Sequence, residues 1–531
     1  MHVFTRFLAA AVVAILVLIP VSASAQKSGG TLRLYIWDNP PSGSIQEEAT
    51  ISTTVPFMPV MSNLVLFDQH QPLNSEATIK PELATSWSWD ASKTKLTMKL
   101  REGVTWHDGK PFTARDVACT LDLLQGKAKD RFRKNPRRVW WSNLKEVTAN
   151  GDHEVTFHLA RPQPSFLSFF ATGYNPVYPC HVPAATMRTH PIGTGPFKFV
   201  EFKSNERVRL ERNPDYWKKG HPYLDAIEFK VISNRSTRIL AFVAGEVDMT
   251  QILDLTPALV RDVKQQAPQA ICEIVPTNNS VNLIVNRNAA PFNDEKLRRA
   301  LALSIDRQAF NSIISEGTAK IGGVFISGPP GNWGMPADVV ASLPGYGGSV
   351  EANRAEARKI MESLGYTQDK PLKLKVSTRN VPLYRDPAVI LVDQLKSVHV
   401  DAELDAVDVS IWFGKVARGD YAVGLNTTAG AIDDPDQQLY ENYACNSERN
   451  YTKYCNPEVE KMIEAQSSEP DQEKRKKIVW DVERLLAKDV ARPIIIQGNS
   501  GICRHPSVKN FTMHKNSIYN DWRFDDLWLD R

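Results

Sequence analysis

Cysteine is scarce in this chain, with six in 531 residues, too few for a disulfide-held scaffold. None lies near the N-terminus, so no thiol is placed there to carry a lipid anchor. Long apolar runs are equally scarce. The first, Leu8 to Ile19, is broken by Pro20 and falls short of the roughly 18 or more residues of a membrane helix. No later segment is apolar enough to span a bilayer. An excess of one charge is also missing, since 64 Lys and Arg stand against 60 Asp and Glu, for a formal net charge of +4. That balance favours neither nucleic acid nor an anionic membrane surface.

Catalytic signatures are missing as well. There is no G-x-x-x-x-G-K-[ST] phosphate loop, and Gly193-Thr194-Gly195 runs into Pro196 instead of opening a dinucleotide-binding helix. His153-Glu154 lacks the second His of a zinc-protease helix, and Gly498-Asn499-Ser500-Gly501 misses a nucleophile elbow by one residue. Cys180-His181 and Cys503-Arg504-His505 each offer half a metal site with no second pair at ligand spacing. The expectation is a protein that is not an enzyme and carries no cofactor or metal.

What is present begins with export. Arg6 supplies a positive start, the apolar run follows, and Ala23-Ser24-Ala25 places small residues where a signal peptidase cuts. Cleavage is expected after Ala25, leaving a mature chain from Gln26 with a net charge of +3, long enough for two or three domains. Export permits disulfides. Cys445 and Cys455 bracket the polar stretch Asn446 to Tyr454 and read as a loop-closing pair worth about 2–3 kcal/mol. For Cys119, Cys180, Cys272 and Cys503, buried thiols and a long-range pair both remain open.

Periodicity then gives the class. Leu96, Met98 and Leu100 alternate with polar neighbours, as do Val155, Phe157 and Leu159, so both segments read as half-buried strands. Thr113 with Asp116 makes a capping box for a helix from Ala114. Strands are expected at Gly195 to Phe202, Val208 to Arg212 and Ala226 to Ile232, with a short one at Asn278 to Asn286. Ala357, Ile360, Met361 and Leu364 mark one face of a helix over Ala352 to Leu364, closed by Gly365. The strand at Leu372 to Val376, the helix Pro387 to Val398, strand Ala402 to Val407, helix Asp408 to Arg418 and strand Tyr421 to Leu425 alternate as an α/β architecture does. Two helices, Pro457 to Ala465 and Asp471 to Lys488, precede a last strand at Arg492 to Gln497. All 12 Trp belong to the mature chain. A cleft between domains is one use for them, core packing the other.

Several long segments carry a resemblance. They are KPELATSWSWD and LREGVTWHDGKPFTARDVACT between Lys80 and Thr120, PIGTGPFKF and ERNPDYWKKGHPYLDAIEF between Pro191 and Phe229, NRNAAPFNDEKLRRALALSIDR from Asn286 to Arg307, and TKYCNPEVEKMIEAQ near the end. In this order they resemble the peptide-, dipeptide- and nickel-binding family of extracellular solute-binding proteins that serve ABC importers. The resemblance implies a periplasmic, monomeric receptor that is not itself membrane-anchored. Its ligand would be peptide-like or another small organic solute, and its partners the permease subunits of an importer. The implied fold is α/β, of the type II periplasmic-binding-protein kind, three-lobed with a discontinuous domain I and a hinged ligand cleft. Domain I would comprise 26–63, 191–274 and 496–531, domain II 64–190 and domain III 275–495, with hinges near Pro276 to Ser280 and Gln497 to Ser500. A secreted hydrolase and a sensory receptor without transport are the alternatives. Turnover of peptides or esters by pure protein would mark the first, and a neighbouring chemoreceptor or kinase gene the second.

The resemblance also nominates site residues. Peptide-binding relatives pair the ligand ammonium with an Asp shortly before a D-P-D element. Here, before Asp434-Pro435-Asp436, an ungapped match puts Ala431 in that place and Thr428 where an aromatic residue is expected. A buried ammonium without a counter-ion is costly, so the departure counts against a free-amine dipeptide unless Asp433 takes over. Arg379 falls near the position that holds the ligand carboxylate, which a planar guanidinium suits. Trp37 and Trp333 lie on loops that face the cleft in relatives. His107, in Trp106-His107-Asp108-Gly109, is expected to be a turn residue without a chemical role.

Overall fold

The computed structural model describes residues 26–326, 328 and 331–531, so the expected leader, 1–25, lies outside the described residues. Local signals account for many of the elements. Lys95–Leu100 and Glu154–Leu159 bury every second side chain, as a period of two requires. The Thr113/Asp116 capping box starts Ala114–Gln125, and Gly126, at φ 72°, ends it in the left-handed conformation that glycine adopts without strain. Ser349 accepts from the Ala352 N–H to cap Val350–Ser363, whose Ala357 and Met361 are buried.

Three sheets organise the chain. The first runs Thr31–Ile36, Ala226–Val231, Arg207–Arg212, Phe197–Lys203 in spatial order, its leading pair parallel and the rest antiparallel. A second, fully antiparallel sheet of Ala84–Trp89, Lys95–Leu100, Glu154–Leu159 and Leu144–Ala149 comes from chain lying between the strands of the first. These two share one continuous core, which includes Leu32, Ile227, Leu96 and Phe157. The third sheet orders Val400–Val407, Leu372–Arg379, Val423–Ala429, Ile271–Val285 and Ile494–Arg504. It builds a separate core around Leu283, Leu301, Leu391 and Val423.

Two strands join the lobes. Ile271–Val285 and Ile494–Arg504 run antiparallel along their length, with a register shift between Pro276 and Ser280. Pro276 has no N–H to donate to a ladder, which suits it to such an irregularity. On one side of the shift the pair bridges to Met249 and Leu255 of the first lobe; on the other it enters the third sheet. Both strands are longer than the expected Asn278 to Asn286 and Arg492 to Gln497. Their outer halves carry little alternation and are held by each other, with Cys272 opposite Cys503 and bonded to it. The helix expected from Pro387 starts at Pro382 instead and keeps Pro387 inside. Burial of Tyr384, Ala388, Leu391 and Leu395 on one face offsets the hydrogen bond a proline removes. Cys119–Cys180 and Cys445–Cys455 are also bonded, so no free cysteine remains among the described residues.

Candidate functional site

The third sheet ends where the lobes meet. Arg379 is the last residue of Leu372–Arg379 and pairs with Val407 in a parallel ladder. Ligand crevices of open α/β sheets form at such carboxyl ends. Tyr384 stands in the first turn of Pro382–Leu395, Phe413 on Val409–Arg418, and Asn426 within Val423–Ala429. Arg449 and Tyr451 come from the loop closed by Cys445–Cys455. Against these, the first lobe presents Thr50, Leu253, Ile518 and Tyr519, and the two sides enclose a cavity. It holds about 20 Å³, room for a single water and too little for an organic ligand. An outer chamber of about 340 Å³ adjoins it and shares Ala49, Phe413, Arg449 and Tyr451 as walls.

The electrostatics of the inner cavity are one-sided. Arg379 is buried, with one of its five donors given to Asn426 Oδ1 at 2.7 Å and its Nε–H without an acceptor. Its guanidinium lies 3.5 Å from the Tyr384 ring centroid and 5.5 Å from that of Phe413. Among the described residues no carboxylate forms an ion pair with it. Arg449 donates to Glu441 Oε2 at 2.5 Å and also keeps an unpartnered Nε–H. No Asp or Glu lines the inner cavity. Nearby, burial pushes the Asp38 carboxyl up to about 7, against the pull of the Ser52 hydroxyl and of Arg379. Four aromatic side chains, two guanidinium heads and the Asn426 and Thr427 side chains give the cavity hydrogen-bond donors suited to an anion beside apolar or planar surface.

Larger cavities lie elsewhere, and several of their charges are paired internally. One of about 500 Å³ is lined by Lys218 with Asp525 and Asp526, Lys80 with Asp68, and Arg523 with Glu82. Another of about 330 Å³ holds Trp333 and Asp433.

The sequence-nominated residues are therefore dispersed. Arg379 lines the interlobe cavity; Trp333 and Asp433 line the separate one. Trp333 Nε1 donates to the Asp433 carbonyl at 2.8 Å, and Asn332 Nδ2 donates to the Asp433 carboxylate at 2.6 Å. Burial pushes that carboxyl up to about 6. Trp37 is buried in the core of the first lobes. Thr428 Oγ1 meets Ser280 Oγ and Asn282 Nδ2, each at 3.0 Å, and its side chain is not part of the cavity wall. Ala431 is sealed, its N–H donating to Gln437 Oε1 and its carbonyl accepting from Asn520 Nδ2, both at 2.6 Å. The D-P-D element is structural. Asp434 caps Pro435–Tyr443 and grips Arg475 with two bonds of 2.7 Å, while Asp436 accepts from Ser165, Gln466, Ser467 and Arg475. His107 holds the Gly195 carbonyl at 3.0 Å, and burial pushes its imidazole down to about 4.

Sequence reasoning missed Arg449, Tyr451, Tyr384, Phe413, Asn426 and Tyr519. Only the first two carried a usable signal, lying between the paired cysteines Cys445 and Cys455.

Comparisons with known proteins agree with this architecture. Residues 78–450 match the model of the bacterial extracellular solute-binding proteins, family 5. The oligopeptide-binding protein AppA of Bacillus subtilis is 26% identical over 460 residues, covering 81% of this chain and 80% of AppA. A probable di/tripeptide-binding protein 5 of Pseudomonas aeruginosa is 24% identical, covering 89% and 91%. In fold, the chain resembles Haemophilus influenzae OppA in complex with RPPGFSPFR, with a TM-score of 0.84 at 20% identity, covering 95% of this chain and 100% of that one. It also resembles the A. tumefaciens R10 binding protein AgaA in complex with agropinic acid, with a TM-score of 0.81 at 20% identity, covering 94% and 99%.

Proposed function

Since the chain belongs to the bacterial extracellular solute-binding proteins of family 5, we propose that it captures a compact acidic solute between its lobes and hands it to the permease of an ABC importer. The observation that carries this reading is Arg379, a buried guanidinium at the closing cleft with no carboxylate partner among the described residues. An unpaired buried charge is costly, and a ligand carboxylate held by the planar fork removes that cost. Sealing of Ala431 by Gln437 and Asn520 supports a ligand other than a free-amine peptide, because the ammonium position offers neither charge nor space. The agropinic acid bound by AgaA supports a non-peptide solute on this scaffold, while the oligopeptide and di/tripeptide names of other relatives support a peptide derivative.

In this reading the leader 1–25 is removed on export and the mature protein works as a periplasmic monomer that binds without transforming. The lobes correspond to 26–63, 191–274 and 496–531 for domain I, 64–190 for domain II and 275–495 for domain III. They turn about Pro276 to Ser280 and Gln497 to Ser500. Native mass spectrometry of the purified protein identifies a ligand retained in the closed cleft. Arg379→Ala should then weaken binding of that ligand by about 2–5 kcal/mol in calorimetry, the range for removing one partner of a buried charge pair. Unchanged affinity overturns the assignment of Arg379. Hydrolysis of the captured ligand by pure protein overturns the receptor reading.

A further inference from the structure

The charge around the inner cavity exceeds what one ligand carboxylate balances. Arg379 and Arg449 form its wall. Two further guanidiniums stand directly behind the aromatic lining. Arg137 is fully buried, stacked 3.8 Å above the Tyr174 ring, which in turn meets the lining Tyr519 at 4.5 Å. Its polar contacts are the carbonyls of Ile45, Gln46 and Glu48, which are neutral. Arg492 is 4% exposed and lies 5.9 Å from the ring of the lining Tyr451. Its donors go to the side-chain amides of Asn282 and Asn442, again neutral. Among the described residues the one carboxylate ion-paired with this group of four is Glu441, on Arg449. Asp38 lies within electrostatic reach of Arg379 and of Asp408, and its carboxyl group accepts from Ser52. In the outer chamber Glu47 and Glu48 are already engaged by Arg188, Arg133 and Lys134, and Glu448 accepts from the Asn135 N–H at 3.0 Å.

Resting on the reading of the cleft as an anion-binding site, we infer that the solute carries two acidic groups, one held by Arg379 in the inner cavity and the second by Arg449 at the neck to the outer chamber. Four buried guanidiniums against one paired carboxylate carry a desolvation cost that further negative charge entering between them offsets. Arg449 has a free Nε–H there, and Glu441 fixes its head from behind while the Cys445–Cys455 bond closes the loop that bears it. The planar fork of each arginine favours carboxylates. The recognised class is a compact dicarboxylic acid with a small apolar or planar connector for Tyr384, Phe413 and Tyr451.

The test uses the full mature chain, freed of carried-over ligand by refolding from guanidinium, at matched ionic strength. Succinate, glutarate and N-acetylglutamate serve as diacid probes; butyrate and N-acetylglycine are their monoacid counterparts. Calorimetry should show at least one diacid binding about tenfold or more tighter than either monoacid, the size of one added charge-assisted contact. Arg449→Gln should erase that advantage and leave monoacid affinity in place, and Arg449→Lys, which keeps the charge, should restore part of it. Melting of each ligand-free variant checks that it is folded. Equal affinity for monoacids and diacids, no diacid binding, or an advantage that survives Arg449→Gln overturns the inference. Arg379→Gln separates the two levels: if it leaves monoacid binding untouched, the anion-binding reading fails as well, whereas its loss with no diacid preference overturns only the second acidic group.

Discussion

At the scale of single residues, Asp436 shows how far a motif's local appearance departs from its role. Its carboxylate is fully buried and surrounded by donors from Ser165, Gln466, Ser467 and Arg475. These come from chain segments up to 271 residues away. Asp436→Ala leaves Arg475 with Asp434 as its one carboxylate partner, beside the Gln466 amide oxygen, and strands several donors. It should destabilise the protein by about 3–5 kcal/mol in urea unfolding, as removal of one partner from a buried ion pair does. Asp436→Asn keeps an acceptor and should cost less. A loss within measurement error for Asp436→Ala would mean the cluster is solvated in solution. Arg379 is the converse case, because its surroundings leave a charge unanswered, and that is why its substitution should be felt in binding.

At the scale of elements, the loop between Cys445 and Cys455 joins stability to recognition. It carries Arg449 and Tyr451 into the cavity, and Glu448 accepts from the Asn135 N–H across the lobes at 3.0 Å. A disulfide that closes so short a loop contributes about 2–3 kcal/mol by restricting the unfolded chain. Cys445→Ser with Cys455→Ser should therefore lower stability by that amount in denaturant. It should also weaken binding of the retained ligand, since Arg449 then searches more conformations before it can grip. Unchanged affinity in a destabilised double variant would show that Glu441 alone positions Arg449. The long strands Ile271–Val285 and Ile494–Arg504 teach a related lesson. Their inner halves carry apolar residues and were visible as strands, whereas their outer halves exist because each supplies the other's hydrogen bonds.

At the scale of the whole molecule, burial of carboxylates sets a pH dependence. Burial pushes Asp38 and Asp521 up to about 7 and Glu483 up to about 8, where the unfolded chain ionises near 4. A folded-state value above the unfolded one means the folded protein holds protons that the unfolded chain releases. The stability linked to them is present below pH 4 and is lost as pH rises from about 4 to about 8. Asp526 acts in the opposite sense. Burial raises its carboxyl, but His70 and Lys218 outweigh that and hold it well below the usual carboxylate range, so its contribution fails only in strong acid. The melting temperature should therefore fall between pH 5.5 and 8.5, and Glu483→Gln should flatten that fall. A melting temperature that rises across this window would refute the balance.

Much of the architecture was legible because it is written in short range. Alternation marked Lys95–Leu100 and Glu154–Leu159, the Thr113/Asp116 box marked a helix start, and long ordered motifs pointed to the family that the comparison over 78–450 establishes. The missing motifs point away from catalysis, and the balanced charge points away from nucleic acid and anionic membranes. Tertiary structure alone decided the site. Thr428, Ala431 and Asp433 are neighbours in the chain, yet one pairs with Ser280, one is sealed by Asn520, and one faces a different cavity. Arg379, Arg449 and Tyr519 lie far apart in the chain and meet only in the fold, around one cavity. A strand or cap is stabilised by neighbours within a few residues, so its pattern is local. A binding cleft is defined by which charges remain unanswered after every distant segment has packed, and that remainder exists only in the folded chain.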